Sequence, residues 1–315
     1  MIQAELVADL VRRGRAASER LGELRTDVKD AALRQGADAL EDAWQAILAE
    51  NAVDLAAGRE NALAAPLLER LTLDRERVAA MATGLREVAA LPDPVGEITR
   101  MWNRPNGLQV GRMRIPLGVI LVIYESRPNV TADVAALCLK SGNAAILRGG
   151  SEAIHSNRAI AAVLREAFAS AGVPEDALVL VPRTEREIVD ALLLRDDAID
   201  LVIPRGGEAL IRRVAEKSRI PVIKHYKGVC HVYLDEFAEP KMASDIAVNS
   251  KVQRVSVCNA AETLLVHAAL AETILPDVLG ALAAHGVELH ACPRTRAHFP
   301  SALPASEEDF HTEWL

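Results

Sequence analysis

The sequence predicts an α/β protein in which a helical N-terminal region precedes a parallel sheet. Apolar residues recur at three- and four-residue steps through residues 1–90, as in Leu40, Ala43 and Ile47, which is typical of amphipathic helices. From Leu117 onward, short apolar runs rich in β-branched residues alternate with helical stretches, and the last strand of this series is predicted at residues 221–224. Such alternation predicts a doubly wound parallel sheet over residues 117–235, covered by helices on both faces.

Two local features divide the chain further. The prolines of Leu91-Pro-Asp-Pro94 end the helical region, because neither can continue a helix. Asn106-Gly107 then predicts a β-hairpin over residues 97–115, which either protrudes to pair with another subunit or is an ordinary surface hairpin. At 315 residues the chain is long enough for two domains, which we place at residues 1–250 and 251–315.

The composition argues against several classes of protein. A net charge of −8 disfavours nucleic acid or an anionic membrane as the main partner, and 3% aromatic residues disfavour a stacking platform for single strands. The apolar runs are too short to span a bilayer, and no export signal is expected. The cysteines form no disulfide framework and suit a reducing cytoplasm. No metal is expected, because the spacing of His285, His290, Cys292 and His298 fits no standard zinc pattern.

Two glycine-rich loops stand where parallel sheets bind ligands. Arg148-Gly149-Gly150-Ser151 and Pro204-Arg205-Gly206-Gly207 each follow a predicted strand and precede a predicted helix. Glycine lets backbone N–H groups approach a phosphate, a helix N-terminus favours the anion, and arginine can form paired hydrogen bonds with it. The dinucleotide pattern Gly-x-Gly-x-x-Gly is absent. One such loop is usually only a turn, but two of them favour a nucleotide or a phosphorylated substrate.

Cys258 is the candidate nucleophile. It lies after the cations Lys251 and Arg254 and before a strand-like segment. A thiol attacks as the thiolate, and neighbouring positive charge favours that form. The alternative is an inert packed thiol, which is the commoner role of a single cysteine before an apolar segment. Cys138 falls on an apolar face of a predicted helix and Cys230 opens a predicted strand, so we expect both to lie in the core.

Several segments resemble the gamma-glutamyl phosphate reductase family of the aldehyde dehydrogenase superfamily. They follow the family's order along the chain, at residues 113–119, 124–131, 138–143, 146–152, 203–207, 224–231 and 257–260. The resemblance implies an aldehyde-dehydrogenase-like fold, with a Rossmann-type cofactor domain, a protruding oligomerisation hairpin and an α/β catalytic domain beginning at residue 251. Family members are longer, so the catalytic domain is expected to be incomplete and to expose core surface.

The same resemblance implies a reaction. NADPH would reduce L-glutamyl 5-phosphate to L-glutamate 5-semialdehyde and phosphate, the second step of proline biosynthesis, through an acyl-enzyme on Cys258. The segment His225-Tyr-Lys-Gly228 stands where hydrolytic aldehyde dehydrogenases carry a water-activating glutamate, and it has no carboxylate. Without such a base the acyl-enzyme would be spared from hydrolysis. A homo-oligomer, a cytoplasmic location and a contact with glutamate 5-kinase are also expected.

The resemblance also assigns substrate-binding roles. Asn129 or Ser126 would donate a hydrogen bond to the developing oxyanion, and the local alignment leaves the choice open. Arg127, Lys227 and Arg254 are candidates for holding the phosphate or the α-carboxylate. Each of the three is equally well a solvated surface cation.

For the cofactor, the resemblance separates the two glycine-rich loops. Arg148-Gly149-Gly150-Ser151 matches the segment that meets the adenosine side of NADP, and Arg148 suits the 2′-phosphate. The loop 204–208 matches the one over the pyrophosphate. Two other functions stay open: another acylating dehydrogenase, for example one using a coenzyme A thioester, and a silent remnant that binds cofactor without turnover. The segments 124–131 and 224–231 argue against the coenzyme A alternative.

Overall fold

The computed structural model describes residues 2–224, 228–255 and 257–314, and the chain divides into two compact units, residues 1–224 and residues 225–315. The helices of the first unit are α1 (Ile2–Leu21), α2 (Thr26–Asp42), α3 (Trp44–Glu60), α4 (Ala65–Leu71), α5 (Arg75–Ala90), α6 (Asn129–Lys140), α7 (Ile154–Ser170), α8 (Arg186–Leu192) and α9 (Glu208–Lys217). Its strands are β1 (Ile98–Asn103), β2 (Gln109–Met113), β3 (Val119–Tyr124), β4 (Ala144–Arg148), β5 (Leu178–Leu180) and β6 (Leu201–Arg205).

The second unit is smaller and also mixes helices with strands. Its elements are α10 (Pro240–Val252), α11 (Leu275–Ala284), α12 (Pro293–His298), β7 (Cys230–Leu234), β8 (Ala261–Val266), β9 (His290–Ala291) and β10 (Leu303–Pro304). Strand β7 pairs in parallel with β8, and β9 pairs in parallel with β10. Within the described residues, none of the helices in either unit combines the length and the apolar character that a bilayer crossing needs.

Helices α1 to α5 confirm the predicted helical N-terminal region. In α2, Leu33 and Leu40 are completely buried two helical turns apart. This helix packs against α5 and α7. The approach to α7 is close because Gly36 has no side chain, and a Cβ built there would lie 2.9 Å from a ring carbon of Phe168.

Two buried lysines connect the helical region to the remainder of the first unit. The Nζ atom of Lys29 in α2 lies 2.5 Å from Asp93 Oδ2, and the lysine side chain is only 1% exposed. Lys140, the last residue of α6, lies 2.5 Å from Asp30 of α2. Burial alone would raise the pKa of Asp93, but the hydrogen bond from Lys29 and those from neighbouring groups lower it overall. Removing one partner of such a pair would leave an uncompensated buried charge.

Strand β3 is central in a parallel sheet with the order β5-β4-β3-β6, which confirms the predicted α/β architecture. All six residues of β3 are buried, and this accounts for its uninterrupted apolar sequence. After β5 the chain crosses to the other side of β3 and forms β6. Strands β4 and β5 therefore lie on one side of β3, and β6 lies on its other side, so the strand order reverses at β3. Open α/β sheets bind ligands at the carboxyl ends of the strands beside such a reversal.

Three expectations about the sheet and the boundary differ from the structure. The sequence predicts a strand at residues 221–224, where the structure has a single bridge between Val202 and Val222. It also extends the first sheet to residue 235 and divides the chain at residue 250, whereas β7 pairs with β8 and the division lies between residues 224 and 225. The reason is that β7, α10 and β8 form one βαβ unit with a core of its own, which includes Leu234, Ala247 and Val278. The roles of the two units as cofactor and catalytic domains stay predictions.

The predicted hairpin is present and exposed. Strands β1 and β2 are antiparallel, and Gly107 in the connecting turn has φ +85°, a value that favours glycine. Its apolar side chains are largely uncovered: Met101 is 57% exposed and Met113 is 60% exposed. Exposed apolar residues grouped on one hairpin are typical of an association surface.

Candidate active site

The loops that follow β3, β4 and β6 lie at one edge of the first unit's sheet, because these strands are parallel and adjacent. They carry the predicted residues Ser126, Arg127 and Asn129 after β3, residues 149–151 after β4, and Gly206 and Gly207 after β6. The sequence thus correctly places the two glycine-rich loops next to strand ends. The sheet order adds that β3 separates β4 from β6, so the loop after β3 lies between the two glycine-rich loops.

A carboxylate joins the loop after β3 to the loop after β4. Glu152 Oε1 accepts hydrogen bonds from the Ser126 backbone N–H at 2.6 Å and from its Oγ at 2.7 Å. Ser126 is buried and has φ +42°, a left-handed conformation that a residue with a side chain rarely adopts. Gly150 lies so close that a Cβ there would meet Glu152 Oε1 at 2.1 Å. A side chain at position 150 would therefore require the Glu152 carboxylate to shift.

A second carboxylate joins the loop after β3 to the loop after β6. Glu125 Oε2 accepts a 3.0 Å hydrogen bond from the backbone N–H of Gly207, the N-cap of α9. A Cβ at Gly206 would meet the same oxygen at 2.5 Å, whereas a Cβ at Gly207 would meet no atom within 4 Å. The predicted phosphate loop therefore has one glycine packed against a carboxylate and one open to its surroundings.

Arg148 is held at the end of β4 with part of its donor capacity unused. Its Nη2 donates to the Thr184 carbonyl at 2.7 Å, while its buried Nε has no hydrogen-bond partner in the part of the chain that the structure describes. Burial lowers the pKa of Arg148, although arginine stays charged at any physiological pH. A half-buried guanidinium whose buried Nε–H is unsatisfied is suited to an anionic ligand.

The remaining candidates of the first unit are on or before α6. Asn129, the first residue of that helix, is exposed, and its Nδ2 donates to Asp133 Oδ2 at 3.0 Å. Arg127 is also exposed. Ser126 uses its hydroxyl to bind Glu152, and Asn129 uses one amide hydrogen to bind Asp133.

In the second unit, Cys258 lies on a tight turn between α10 and β8. The backbone N–H of Ala260 donates to the Val257 carbonyl at 3.1 Å and closes this turn. The Cys258 side chain is exposed. The predicted neighbour Arg254 follows α10 and is exposed as well. Lys227, with the rest of residues 225–227, and Ser256 lie outside the described residues.

The expected positive charge from Lys251 is largely compensated. Its Nζ lies 3.5 Å from Glu262 Oε2, and the Glu262 side chain is only 2% exposed. The same Nζ donates to the Trp314 carbonyl at 3.1 Å. The sequence expects Lys251 to support the Cys258 thiolate, but the structure directs its charge to a buried carboxylate on β8.

The other cysteines separate into buried and accessible groups. Cys138 is buried in α6 as expected, and burial raises its pKa to about 12. Cys230 is not in the core, contrary to the expectation, because it lies at the very start of β7 and is half-buried. Its Sγ donates to the backbone carbonyl of Cys258 at 3.4 Å. Cys292 is half-buried at the N-terminus of α12, and its hydrogen bond with Thr295 lowers its pKa.

His290, one of the histidines considered as a metal ligand, contacts two carboxylates. His290 lies 2.9 Å from Glu288 and 3.2 Å from Asp309, and these carboxylates raise its pKa. In the residues that the structure describes, no group of three or more His, Cys, Asp or Glu side chains is placed to hold a metal ion.

Three residues that contact candidate residues of their own unit are absent from the sequence-based candidates: Glu125 and Glu152 in the first unit and Cys230 in the second. Both glutamates are adjacent to quoted candidates, so acidic side chains beside glycine-rich loops are the signal that would have found them. Their partners are far away in sequence, 82 residues for Glu125 and Gly207 and 26 for Glu152 and Ser126. Only the strand order brings these pairs together.

Comparison with known proteins decides the family. The model of the aldehyde dehydrogenase family matches residues 2–295. The gamma-glutamyl phosphate reductase of Geotalea daltonii is 54% identical over 315 residues, which are 100% of this chain and 75% of that protein. The chain belongs to the gamma-glutamyl phosphate reductase family. The reductase of Desulfatibacillum aliphaticivorans gives the same result, with 53% identity over 99% of this chain and 74% of its own length.

A solved structure of the family supports the fold. The gamma-glutamyl phosphate reductase of Thermotoga maritima superposes with a TM-score of 0.90 and 39% identity, over 98% of this chain and 74% of that one. The chain thus has the aldehyde-dehydrogenase-like fold that the sequence predicts. As a gamma-glutamyl phosphate reductase family member it is an oxidoreductase of proline biosynthesis that works with a nicotinamide cofactor.

Proposed function

We propose that this chain reduces L-glutamyl 5-phosphate to L-glutamate 5-semialdehyde with NADPH, through a thioester on Cys258. The observation that carries this proposal is the exposed Cys258 side chain on its closed turn, in a chain of the gamma-glutamyl phosphate reductase family. An exposed thiol on a short ordered turn is open to an incoming carbonyl carbon. A packed thiol such as that of Cys138 is not.

The chemistry needs little proton transfer. The Cys258 thiolate attacks the acyl carbon, the bond from that carbon to the phosphate oxygen breaks, and phosphate leaves with the electron pair. Phosphate is a good leaving group, so no strong general base is required. Asn129 or Ser126 would stabilise the negative charge on the carbonyl oxygen during the attack. NADPH, when bound, supplies the hydride that reduces the thioester to the aldehyde.

The residues of the first unit fit the cofactor. The unsatisfied buried Nε of Arg148 suits the adenosine 2′-phosphate, which distinguishes NADPH from NADH. Gly149, Gly150 and Ser151 continue the same loop toward the start of α7. For the pyrophosphate we propose the loop of Pro204, Arg205, Gly206 and Gly207, since a Cβ at Gly207 would meet no atom within 4 Å and this residue is the N-cap of α9.

The anionic ends of the substrate require cations. Arg127 and Arg254 are exposed and remain our candidates for the phosphate and the α-carboxylate, together with Lys227.

Self-association through the β1–β2 hairpin belongs to the same proposal and is supported by its exposed methionines. A contact with glutamate 5-kinase would spare the reactive acyl phosphate from hydrolysis. A cytoplasmic location is supported by four free cysteines.

The reverse reaction tests the proposed function directly. With L-glutamate 5-semialdehyde, NADP⁺ and phosphate, we expect NADPH to form, and its rate to depend on phosphate. Replacing phosphate with coenzyme A should give no NADPH. NADPH formation that requires coenzyme A would identify a different acylating dehydrogenase, and cofactor binding without turnover would identify a silent module.

Arg148→Ala tests the cofactor assignment without any need for turnover. Charged hydrogen bonds are worth about 1.5–3 kcal/mol, so the Kd for NADPH should rise about 10- to 100-fold. The Kd for NADH should hardly change, because NADH lacks the 2′-phosphate. Both constants can be measured by fluorescence titration, with Arg158→Ala, an exposed arginine of α7, as the matched control. An equal loss of affinity for the two cofactors would contradict the assignment.

A further inference from the structure

We propose that Cys230 and Cys258 form a reversible disulfide when Cys258 is oxidised by a hydroperoxide. This proposal goes beyond the reductase reaction and depends only on a reactive thiol at position 258. The two cysteines are 28 residues apart in sequence and belong to the same unit. The proposal makes Cys258 a site of reversible oxidation, with Cys230 as the cysteine that forms the disulfide.

The strand register brings the two cysteines together. Cys230 opens β7 and is paired with Ala261, the first residue of the neighbouring parallel strand β8. Cys258 precedes Ala261 by three residues, and the turn closed by Ala260 and Val257 folds this segment back at the strand start. The pairing of β7 with β8 shifts register between Cys230 and His231, so Cys230 stands outside the regular hydrogen-bonded ladder.

The contact between them is direct. Cys230 Sγ lies 3.4 Å from the backbone oxygen of Cys258, so the thiol already touches the main chain of the residue that carries the nucleophile. Disulfides join cysteines whose Cα atoms are about 4.4–6.8 Å apart, which is the separation of neighbouring backbones. To form the bond, the Cys230 side chain would turn from the Cys258 carbonyl oxygen toward the Cys258 sulfur.

Accessibility favours this pair over the other cysteines. Cys258 is exposed and Cys230 is half-buried, so an oxidant reaches the first and the second can approach it. Cys138 is buried in the first unit. Cys292 lies at the N-terminus of α12, where its Sγ is 3.5 Å from Thr295 Oγ1.

The chemistry is balanced in two steps. The Cys258 thiolate attacks a hydroperoxide oxygen, the O–O bond breaks, and the alcohol or water leaves as a sulfenic acid forms on Cys258. The Cys230 thiolate then attacks the Cys258 sulfur, the S–O bond breaks, and water leaves as the disulfide forms. The hydroperoxide is the oxidant, and two equivalents of a small thiol restore both cysteines.

The consequence is protection of the nucleophile. A sulfenic acid without a nearby thiol is oxidised onward to sulfinic and sulfonic acids, and thiols cannot reverse those products. The disulfide stops this sequence at a reducible stage. The chain would lose its free Cys258 under oxidising conditions and regain it when thiols return.

The test is a thiol assay on the full chain, and it does not require substrate. After hydrogen peroxide treatment, wild type should lose two free thiols and yield a Cys230–Cys258 crosslinked peptide by non-reducing mass spectrometry. Dithiothreitol should restore both thiols. In Cys230→Ser, Cys258 should instead reach the sulfinic and sulfonic states, and recovery of its thiol should fall by about tenfold or more. Cys292→Ser is the matched control and should behave as wild type.

Two outcomes would overturn the proposal. One is sulfinic acid at Cys258 in wild type with no crosslinked peptide. The other is a disulfide from Cys258 to Cys292 or to a second chain. Because the readout is the state of the sulfurs, it is separate from the test of the reductase reaction. A chain that forms the disulfide but fails to reduce the acyl phosphate would support this proposal and contradict the other.

Discussion

Replacing Cys258 with alanine should lower the phosphate-dependent rate by about 10³-fold or more, because the thioester can no longer form. No other side chain in our proposal can supply the attacking electron pair. NADPH binding should be unchanged, since the residues assigned to the cofactor are on the loops after β4 and β6. Steady-state kinetics and fluorescence titration of the same preparation measure the two quantities.

The matched control for this variant is Cys292→Ala, another accessible cysteine of the second unit. It should keep the wild-type rate. Iodoacetamide provides a chemical version of the experiment, since it should label Cys258 in the native protein and abolish the activity. Full activity in Cys258→Ala, or a native Cys258 that iodoacetamide leaves unlabelled, would end the covalent mechanism.

Lys29→Met should destabilise the first unit by about 3–5 kcal/mol, the usual cost of removing one partner of a buried ion pair. Lys29 is 1% exposed and lies 2.5 Å from Asp93, so its loss leaves that carboxylate without its cation. Urea unfolding monitored by circular dichroism measures the change. Arg12→Met is the control, because Arg12 pairs with Asp9 while 71% exposed and should contribute less than about 1 kcal/mol.

A double variant separates two contributions to the loss of stability: the missing ion pair and the unpaired Asp93 carboxylate. Adding Asp93→Asn to Lys29→Met removes the unpaired carboxylate, so part of the lost stability should return.

The ion pair between Lys29 and Asp93 also makes stability depend on pH in a definite direction. The pKa of Asp93 is lowered in the folded chain, so its contribution is present above its unfolded pKa of about 3.9 and is lost as pH falls through the lower folded value. Lys29→Met should lack this contribution, and equal acid sensitivity of both proteins would argue against the pair.

The sequence predicts the elements well because each carries its own local signal. The continuous apolar run of β3 indicates a buried central strand, and Asn106-Gly107 indicates the hairpin turn. The order of the strands has no such signal. The assignment of β7 to the first sheet is wrong because the sequence of a strand does not indicate which strand it pairs with, and β7 pairs with β8.

The candidate site follows the same rule. Local chemistry in the sequence is enough to single out Cys258 and the glycine-rich loops as candidates, and their roles stay predictions. Glu125 and Cys230 form hydrogen bonds with Gly207 and Cys258, which are distant in sequence and are brought near by the folded topology. The expected support from Lys251 fails because a buried glutamate on β8 competes for its charge. Residue type predicts what a side chain can do, and the fold determines which partner it meets.

Two hydrogen bonds join the loop after β3 to the loop after β4 through Ser126 and Glu152. A non-glycine residue in the left-handed region costs about 1 kcal/mol, and these hydrogen bonds offset that cost at Ser126. A movement of Glu152 would remove both of them. The backbone conformation at the end of β3 therefore depends on a side chain that the neighbouring strand's loop supplies.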